Sequence, residues 1–393
     1  MKSEAIENLV LPTEDVEPAK LGKPCFGYVD ISSIDRESKR ITRLQRLNTK
    51  DAPSRARKLI RADDVLISTV RPNLNAVAQV PRQFDGEIAS TGFCVLRPKH
   101  DALESSYLYY FTQSTRFVDE LVKKSTGATY PAVSDGDVLD TLIPLPSRFA
   151  DQHRIAGILE RADRVRRLRR YALEVGDGFL PAAFLAMFGN PLTLMRRWER
   201  RPFGELLAAD LRNGMSPSNA GLVMARVLTL SAITKGVFDG SESKLAPFNK
   251  APGKDKRVSA SDFLICRGNG NLGLVGIGTF SPNDMPDYVF PDTMIAAQVK
   301  PDAICARFLG TVWNSPALRR QIEASARTTN GTYKINQEVL AEIEIPVPPL
   351  SLQQQFAALV EKHERLRQVH REALRQAEHL FQTLLHRAFT TGL

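Results

Sequence analysis

Cysteine is scarce in this chain. Four occur in 393 residues (Cys25, Cys94, Cys266 and Cys305), and the two closest are 305 − 266 = 39 positions apart. That spacing excludes a zinc knuckle and a dense disulfide framework, and it fits free thiols in a reducing cytoplasm. Long apolar runs are also missing. The first twenty residues lack an apolar core after a basic start, so no secretory leader is read there. No stretch approaches the roughly 18 apolar residues that a membrane span requires, so no membrane role is expected. The phosphate-binding pattern G-x-x-x-x-G-K-[ST] is absent, as is an Asn/Asp-Pro-Pro-aromatic box, which removes the usual signs of an ATP-driven motor and an amino-methyltransferase. Pro291-Asp292 with Gln298 and Lys300 offers too few oxygen ligands for metal-assisted hydrolysis. Neither a catalytic residue nor a metal site is expected.

Positive charge is in excess. Lys and Arg total 53 against 44 Asp and Glu, a net charge of +9. With 43% hydrophobic residues the chain can bury sizeable cores, and the cationic surplus favours a polyanionic partner.

The chain repeats itself. Ala62-Asp63-Asp64-Val65-Leu66-Ile67-Ser68 resembles Ala260-Ser261-Asp262-Phe263-Leu264-Ile265-Cys266, and Gly127-Ala128-Thr129-Tyr130 resembles Asn330-Gly331-Thr332-Tyr333. Ile143-Pro144-Leu145-Pro146 returns as Ile345-Pro346-Val347-Pro348, and Arg170-Tyr171-Ala172-Leu173 as Arg371-Glu372-Ala373-Leu374. The offset stays near 200, which describes two copies of a two-part module. The first part of each copy is α+β. Val65–Ser68, Phe93–Leu96, Phe263–Cys266 and Met294–Ala297 read as short buried strands, and 107–122 and 306–322 as helices. The second part is a long helix with Ser351 as the N-cap of the second copy.

The boundaries expected are 1–149 and 191–349 for the two bodies, and 150–190 and 350–393 for the helices. Apolar residues alternating by three and four mark a seam along each helix. In the first they are Ile155, Ile158, Ala162, Val165, Ala172 and Phe179; in the second, Phe356, Leu359, Leu366, Ala373, Leu380 and Leu384. His363 and His370 interrupt the second seam. Two seams in register predict an antiparallel coiled coil between two similar bodies, with approximate two-fold symmetry. Residues 151–188 would span roughly 57 Å at 1.5 Å per residue.

Duplex DNA suits a duplicated cationic protein, because paired modules read half-sites about one helical turn or more apart. Lys39, Arg40, Arg43 and Arg46 open a run of cations ending at Arg61, suited to phosphates. A solvated loop would explain the same run. Two loops mix cations, hydroxyls and an aromatic around glycine. One carries Lys123, Lys124, Thr126, Thr129 and Tyr130; the other carries Arg327, Thr329, Asn330, Thr332, Tyr333 and Lys334. Arg71 with Asn73, and Arg267 with Asn269 and Asn271, fall at matching places, where Arg suits guanine and Asn suits adenine. Gly268-Asn269-Gly270-Asn271-Leu272-Gly273 fits G-x-G-x-x-G, yet a Gly-rich strand-like segment follows where a dinucleotide site needs a helix.

Together these features resemble the specificity subunit of type I restriction–modification enzymes. The strongest marks are the two Ile-Pro-x-Pro segments, followed by Gln152 in one copy and by Gln353 and Gln354 in the other. Others are Ala186-Met187-Phe188-Gly189-Asn190-Pro191, Trp198 with Phe203-Gly204-Glu205-Leu206, and the segment Tyr28 to Asp35. The first body lacks the Trp-x-x-x-x-Leu-Gly opening. The resemblance implies two target recognition domains, each reading half of a bipartite DNA sequence. It also implies spacer helices that dock two methyltransferase subunits, with motor-nuclease subunits as further partners. S-adenosylmethionine belongs on the methyltransferase, and this chain would hold no cofactor and catalyse nothing. The competing readings are a fused DNA methyltransferase or nuclease, and a coiled-coil scaffold that does not read DNA.

Overall fold

A computed structural model describes residues 2–329 and 331–393. The chain divides into two units. Unit 1 joins residues 1–173 to 369–393, and unit 2 is 174–368. Both are α+β and built to one plan.

In unit 1, one four-stranded sheet runs in the order Val10–Leu11, Phe93–Pro98, Val65–Ser68, Val77–Gln79, all antiparallel. The second runs Gln45–Asn48, Cys25–Val29, Ile88–Ser90, Ala56–Leu59, with one parallel pair, Cys25–Val29 beside Ile88–Ser90. Unit 2 repeats the plan. Its sheets run Arg212–Asn213, Met294–Ala297, Phe263–Cys266, Gly278–Phe280, and Ser243–Phe248, Val223–Leu228, Met285–Val289, Arg257–Val258. The parallel pair is again in the corresponding place, Val223–Leu228 beside Met285–Val289. The four expected strands form as read, fully buried except for the Arg97 side of the second.

Each of the two shorter helices read from the sequence is a broken pair. Ser105–Phe111 and Thr115–Lys124 are separated at Ser114, whose hydroxyl accepts from the Phe117 N–H and starts the second helix. Ala306–Trp313 and Pro316–Ser325 are separated at Asn314-Ser315, where Pro316 cannot donate to the preceding turn.

The first long helix covers Phe149–Asp177, and a second segment, Phe179–Phe188, follows Gly178. The other long helix, Leu350–Phe389, is continuous. It starts one residue before Ser351, so Ser351 is not its N-cap. The Pro349 carbonyl instead accepts from Leu352 and Gln353. An 18-residue window within 149–188 reaches a mean hydropathy of 1.2, correcting the expectation that no segment approaches a spanning composition. Phe184 and Phe188 from that segment are buried in the core of unit 2.

Within each unit the helices pack antiparallel. In unit 1, Ile155, Ala156, Leu159 and Ala162 share a core with Phe381, Leu385, Ala388 and Phe389. In unit 2, Phe184 and Phe188 pack on Phe356, with centroids 5.6 and 5.4 Å apart. The seam differs from the expected register. Val165, Leu366 and Leu380 are 46%, 50% and 51% exposed, and Phe179 is also exposed. Positions outside the expected seam that are buried include Leu159, Arg166, Val360, Ala377, Phe381 and Leu385. Straight helices turn 3.6 residues per turn, so the buried face drifts off a strict heptad. Of the other seam positions, Ile155, Ala162 and Phe356 are buried, whereas Ile158, Ala172, Leu359, Ala373 and Leu384 are half-buried.

Each long helix is tied to its body by one buried glutamine. Gln152 Oε1 accepts from the Glu104 N–H at 2.9 Å, and its amide donates to the Ala102 carbonyl at 3.1 Å. Gln353 Oε1 accepts from the Cys305 N–H at 2.9 Å, and its amide donates to Pro348 at 2.7 Å. A buried amide satisfied on both sides fixes helix to body at a defined angle, and an apolar replacement leaves two backbone groups unpaired.

Candidate DNA interface

Segments far apart in sequence meet in each unit. In unit 1, Val70 bridges Ala132, Thr126 bridges Ala132, and the Arg71 N–H donates to the Pro131 carbonyl at 2.7 Å. The loop of Arg71 and Asn73 therefore lies against the loop of Thr126 to Tyr130. The Arg71 guanidinium stacks on the Tyr130 ring, 4.6 Å from its centroid. Arg71 has φ 52°, the left-handed region that costs a non-glycine residue, and Tyr130 is 65% exposed. An exposed guanidinium held on an aromatic face, on a strained loop, is poised to donate to an acceptor outside the chain. Asn73, Lys123, Thr126 and Thr129 are exposed nearby in the chain.

In unit 2 the corresponding segments form a three-stranded sheet, Gly268–Asn269, Thr332–Lys334, Arg327–Thr329. Asn269 pairs with Tyr333, and Gly268 with Lys334. The Ile335 N–H donates to the Arg267 carbonyl at 2.9 Å, which continues the join. Arg327 and Lys334 are exposed, while Thr332 is half-buried. Tyr333 packs against the core of unit 2, unlike Tyr130. Asn330 lies outside the described residues. After Gly268–Asn269 the chain forms only a short turn, Leu272–Leu274, so no helix follows the glycine-rich motif.

Several residues expected at phosphates or bases already have partners within the chain. Asn269 Oδ1 accepts from the Asn271 N–H at 2.9 Å, and Asn271 Oδ1 accepts from Gly273 at 3.0 Å. A two-point contact to adenine needs both amide ends, so these side chains shape the turn first. Arg267 donates to the Asp292 carbonyl. Arg46 pairs with Glu87 at 3.0 Å, and Lys124 reaches the Asp137 carbonyl at 3.1 Å and Glu120 at 3.5 Å. Arg40 and Arg43 remain exposed. The sequence gives no sign of these internal partners, because Glu87 and Asp292 lie 41 and 25 positions from the arginines they hold.

Lys39 is the clearest correction. Its backbone is left-handed, its ammonium donates to the Asn75 carbonyl, and its own carbonyl accepts from the Tyr109 hydroxyl at 2.9 Å. Burial, with Arg166 nearby, holds its pKa down to about 8. It acts inside unit 1 rather than on a phosphate. Between about pH 8 and the ordinary lysine value the unfolded chain binds a proton that the native state does not, so stability rises with pH. The difference in unfolding free energy between the natural chain and Lys39→Met should grow by about 1–2 kcal/mol from pH 7.5 to 10, after allowing for solvent screening. Denaturant melts at the two pH values measure it; parallel profiles would contradict the assignment.

A buried carboxylate anchors the strand behind each loop. In unit 1, Asp64 takes two bonds from Arg97, at 3.0 and 2.9 Å, and burial still raises its pKa. In unit 2, Asp262 is held by Arg212, from a different strand, and by Gln298. Along the helices, Arg166 lies over the Phe381 ring at 4.1 Å and bonds Asp163, while Arg170 pairs with Glu378. Arg161, Arg164 and Arg169 stay exposed, alongside the exposed apolar residues Val165, Leu168 and Tyr171. Among the described residues, no three His, Cys, Asp or Glu side chains are grouped to hold a metal.

Comparison with known proteins agrees with this architecture. The type I restriction modification DNA specificity domain matches twice, over residues 41–172 and 231–379. The specificity subunit of the type I restriction enzyme StySPI, from Salmonella potsdam, is 24% identical over 353 residues, covering 84% of this chain and 74% of the relative. Among solved structures, a chain from a study of complex assembly and conformational transition of the type I R-M system aligns with TM-score 0.63 and 27% identity, covering 100% of this chain and 98% of the other. The HsdS subunit of Thermoanaerobacter tengcongensis aligns with TM-score 0.51 and 28% identity, covering 100% and 97%. Two matches to the domain, together spanning well over half of the sequence, identify the chain as a member of the type I restriction–modification DNA specificity family, a specificity subunit.

Proposed function

We propose that this specificity subunit reads a bipartite duplex-DNA target, each unit reading one half through its paired loops. The observation that carries the reading is the meeting of two sequence-distant loops in both units, Arg71 with Tyr130 in one and Asn269 with Tyr333 in the other. Duplicated loops on a common scaffold suit two half-sites, and the net charge of +9 suits the phosphates between them. The chain itself is non-catalytic. Its long helices dock two methyltransferase subunits, for which Val165, Leu168 and Tyr171 offer exposed apolar side chains among exposed arginines. Those subunits carry S-adenosylmethionine, and motor-nuclease subunits are further partners. The assembly works in the cytoplasm.

Co-expression with the cognate methyltransferase, followed by genome-wide mapping of methyladenine, tests the reading. A single motif of two fixed half-sites around an unread spacer is expected. Methylation at a continuous motif, or methylation unchanged when this chain is omitted, would contradict it.

A further inference from the structure

The outer face of one strand pair is covered in unit 1 and bare in unit 2. In unit 1, Cys25–Val29 runs beside Gln45–Asn48, with Phe26 opposite Leu47 and Tyr28 opposite Gln45. Tyr28 also faces Ile88 across the parallel pair. Phe26, Tyr28 and Ile88 form a buried cluster with Ala56, on which Val16, Leu21 and Leu47 pack. In unit 2 the same register puts Met224 opposite Pro247 and Arg226 opposite Leu245, with Arg226 facing Tyr288. Alternate residues of a strand point to opposite faces, and Ala225, Val227, Ala246 and Phe248 take the inner one. On the outer face Met224 and Leu245 are left 54% and 61% exposed, and Arg226 is exposed beside them.

Charge, shape and continuity say what the bare face takes. Residues 212–257 carry eight Lys or Arg and three Asp or Glu, a surplus of five within the net +9 of the chain. Lys244 and Lys250 are exposed on the edge strand and just after it. Arg226 has no carboxylate partner among the described residues; its guanidinium reaches the Ser243 hydroxyl at 3.5 Å and lies 5.8 Å from the Tyr288 ring centroid. Such a surplus around an apolar face complements phosphates. Six residue pairs join the two strands, but only Arg226 and Val227 also pair with the third strand. The end at Val223–Ala225 is therefore a two-stranded ribbon, of the kind that the major groove admits. That end adjoins the candidate loops. The Ser218 N–H donates to the Pro247 carbonyl at 2.9 Å, and the Met215 N–H to the Phe290 carbonyl at 3.0 Å, two residues before the Asp292 carbonyl that accepts from Arg267. Three residues span at most roughly 11 Å, so ribbon and Arg267 loop share one flank of unit 2. We propose that unit 2 reads base edges of its half-site through the outer face of this ribbon, with Arg226 as the donor and Met224 and Leu245 as apolar contacts. The proposal rests on the half-site reading above and names the side chains that carry it in unit 2, where Asn269 and Asn271 are held in turn bonds and Tyr333 packs on the core.

The test uses the full chain assembled with the methyltransferase subunit, and duplexes carrying the target mapped by methyladenine. The half-site of unit 2 is the one that changes when residues 192–345 are replaced. Arg226→Ala should lower discrimination at a position of that half-site about 5- to 150-fold and leave the other half-site as it was. Arg226→Lys should do the same, since an ammonium lacks the planar fork. Met224→Asp with Leu245→Asp, both at exposed positions, should weaken binding of the target duplex at least ten-fold, while circular dichroism and assembly with the methyltransferase stay unchanged. Unchanged discrimination by folded Arg226→Ala, or an equal loss on every duplex sequence, would overturn the proposal. So would weaker assembly of the aspartate variant with the methyltransferase, which would assign the bare face to that subunit. If the unsubstituted complex shows no two-part target, the half-site reading fails and the ribbon with it; a two-part target that all three variants read normally removes the ribbon alone.

Discussion

Trp313→Ala should destabilise unit 2 selectively. Trp313 is fully buried, packs on Phe203 at 4.7 Å and Phe263 at 5.2 Å, and donates its indole N–H to the Gly276 carbonyl at 2.7 Å. Gly276 closes the loop that begins at Arg267. Its φ is +71°, and a Cβ there would meet Ile322 at 2.3 Å, so this turn accepts glycine and little else. Truncating a buried tryptophan costs about 3–5 kcal/mol, and the abandoned carbonyl adds about 1–3 kcal/mol. Calorimetry should show the transition of unit 2 falling by roughly 10 °C or more while that of unit 1 stays in place. Equal shifts in both transitions would mean that the units do not unfold separately.

Arg71→Ala should damage reading of one half-site only. Arg71 is exposed, stacked on Tyr130 and without a carboxylate partner among the described residues. If it contacts a base edge, its loss costs about 1–3 kcal/mol of discrimination, roughly 5- to 150-fold, at one position of the target. Arg71→Asn separates backbone from side chain, because asparagine tolerates the left-handed conformation while lacking the charge. It should lose discrimination as Arg71→Ala does. Arg71→Lys should also lose it, since an ammonium cannot reproduce the planar fork. A uniform loss across all sequences, with a salt slope smaller by about one, would instead assign Arg71 to a phosphate.

The repeat, the α+β bodies and the two long helices were legible because duplication preserves local pattern at a steady offset. What faces what was less so. Leu359 and Val360, Leu380 and Phe381, and Leu384 and Leu385 are adjacent apolar pairs, and either member could line a seam. The body and the partner helix decide between them, and they choose the second each time. Buried polar residues such as Gln152, Asp163 and Arg166 break any apolar pattern. In the candidate site, the loops were legible from glycine, hydroxyl and aromatic content, and so was their matched placement. The internal duties of Lys39, Arg46, Asn269 and Asn271 were not, because long-range pairs and turn bonds leave no mark in composition.

The central claim is that each unit owns one half of the target. The most direct measurement replaces residues 192–345 with the matching body of a related specificity subunit and maps methyladenine in cells that carry the cognate methyltransferase. The replaced segment lies wholly inside unit 2 and leaves both long helices in place. The account predicts a motif in which one half-site changes to that of the donor while the other half-site is retained. A motif changed in both halves, or changed in neither, would contradict it.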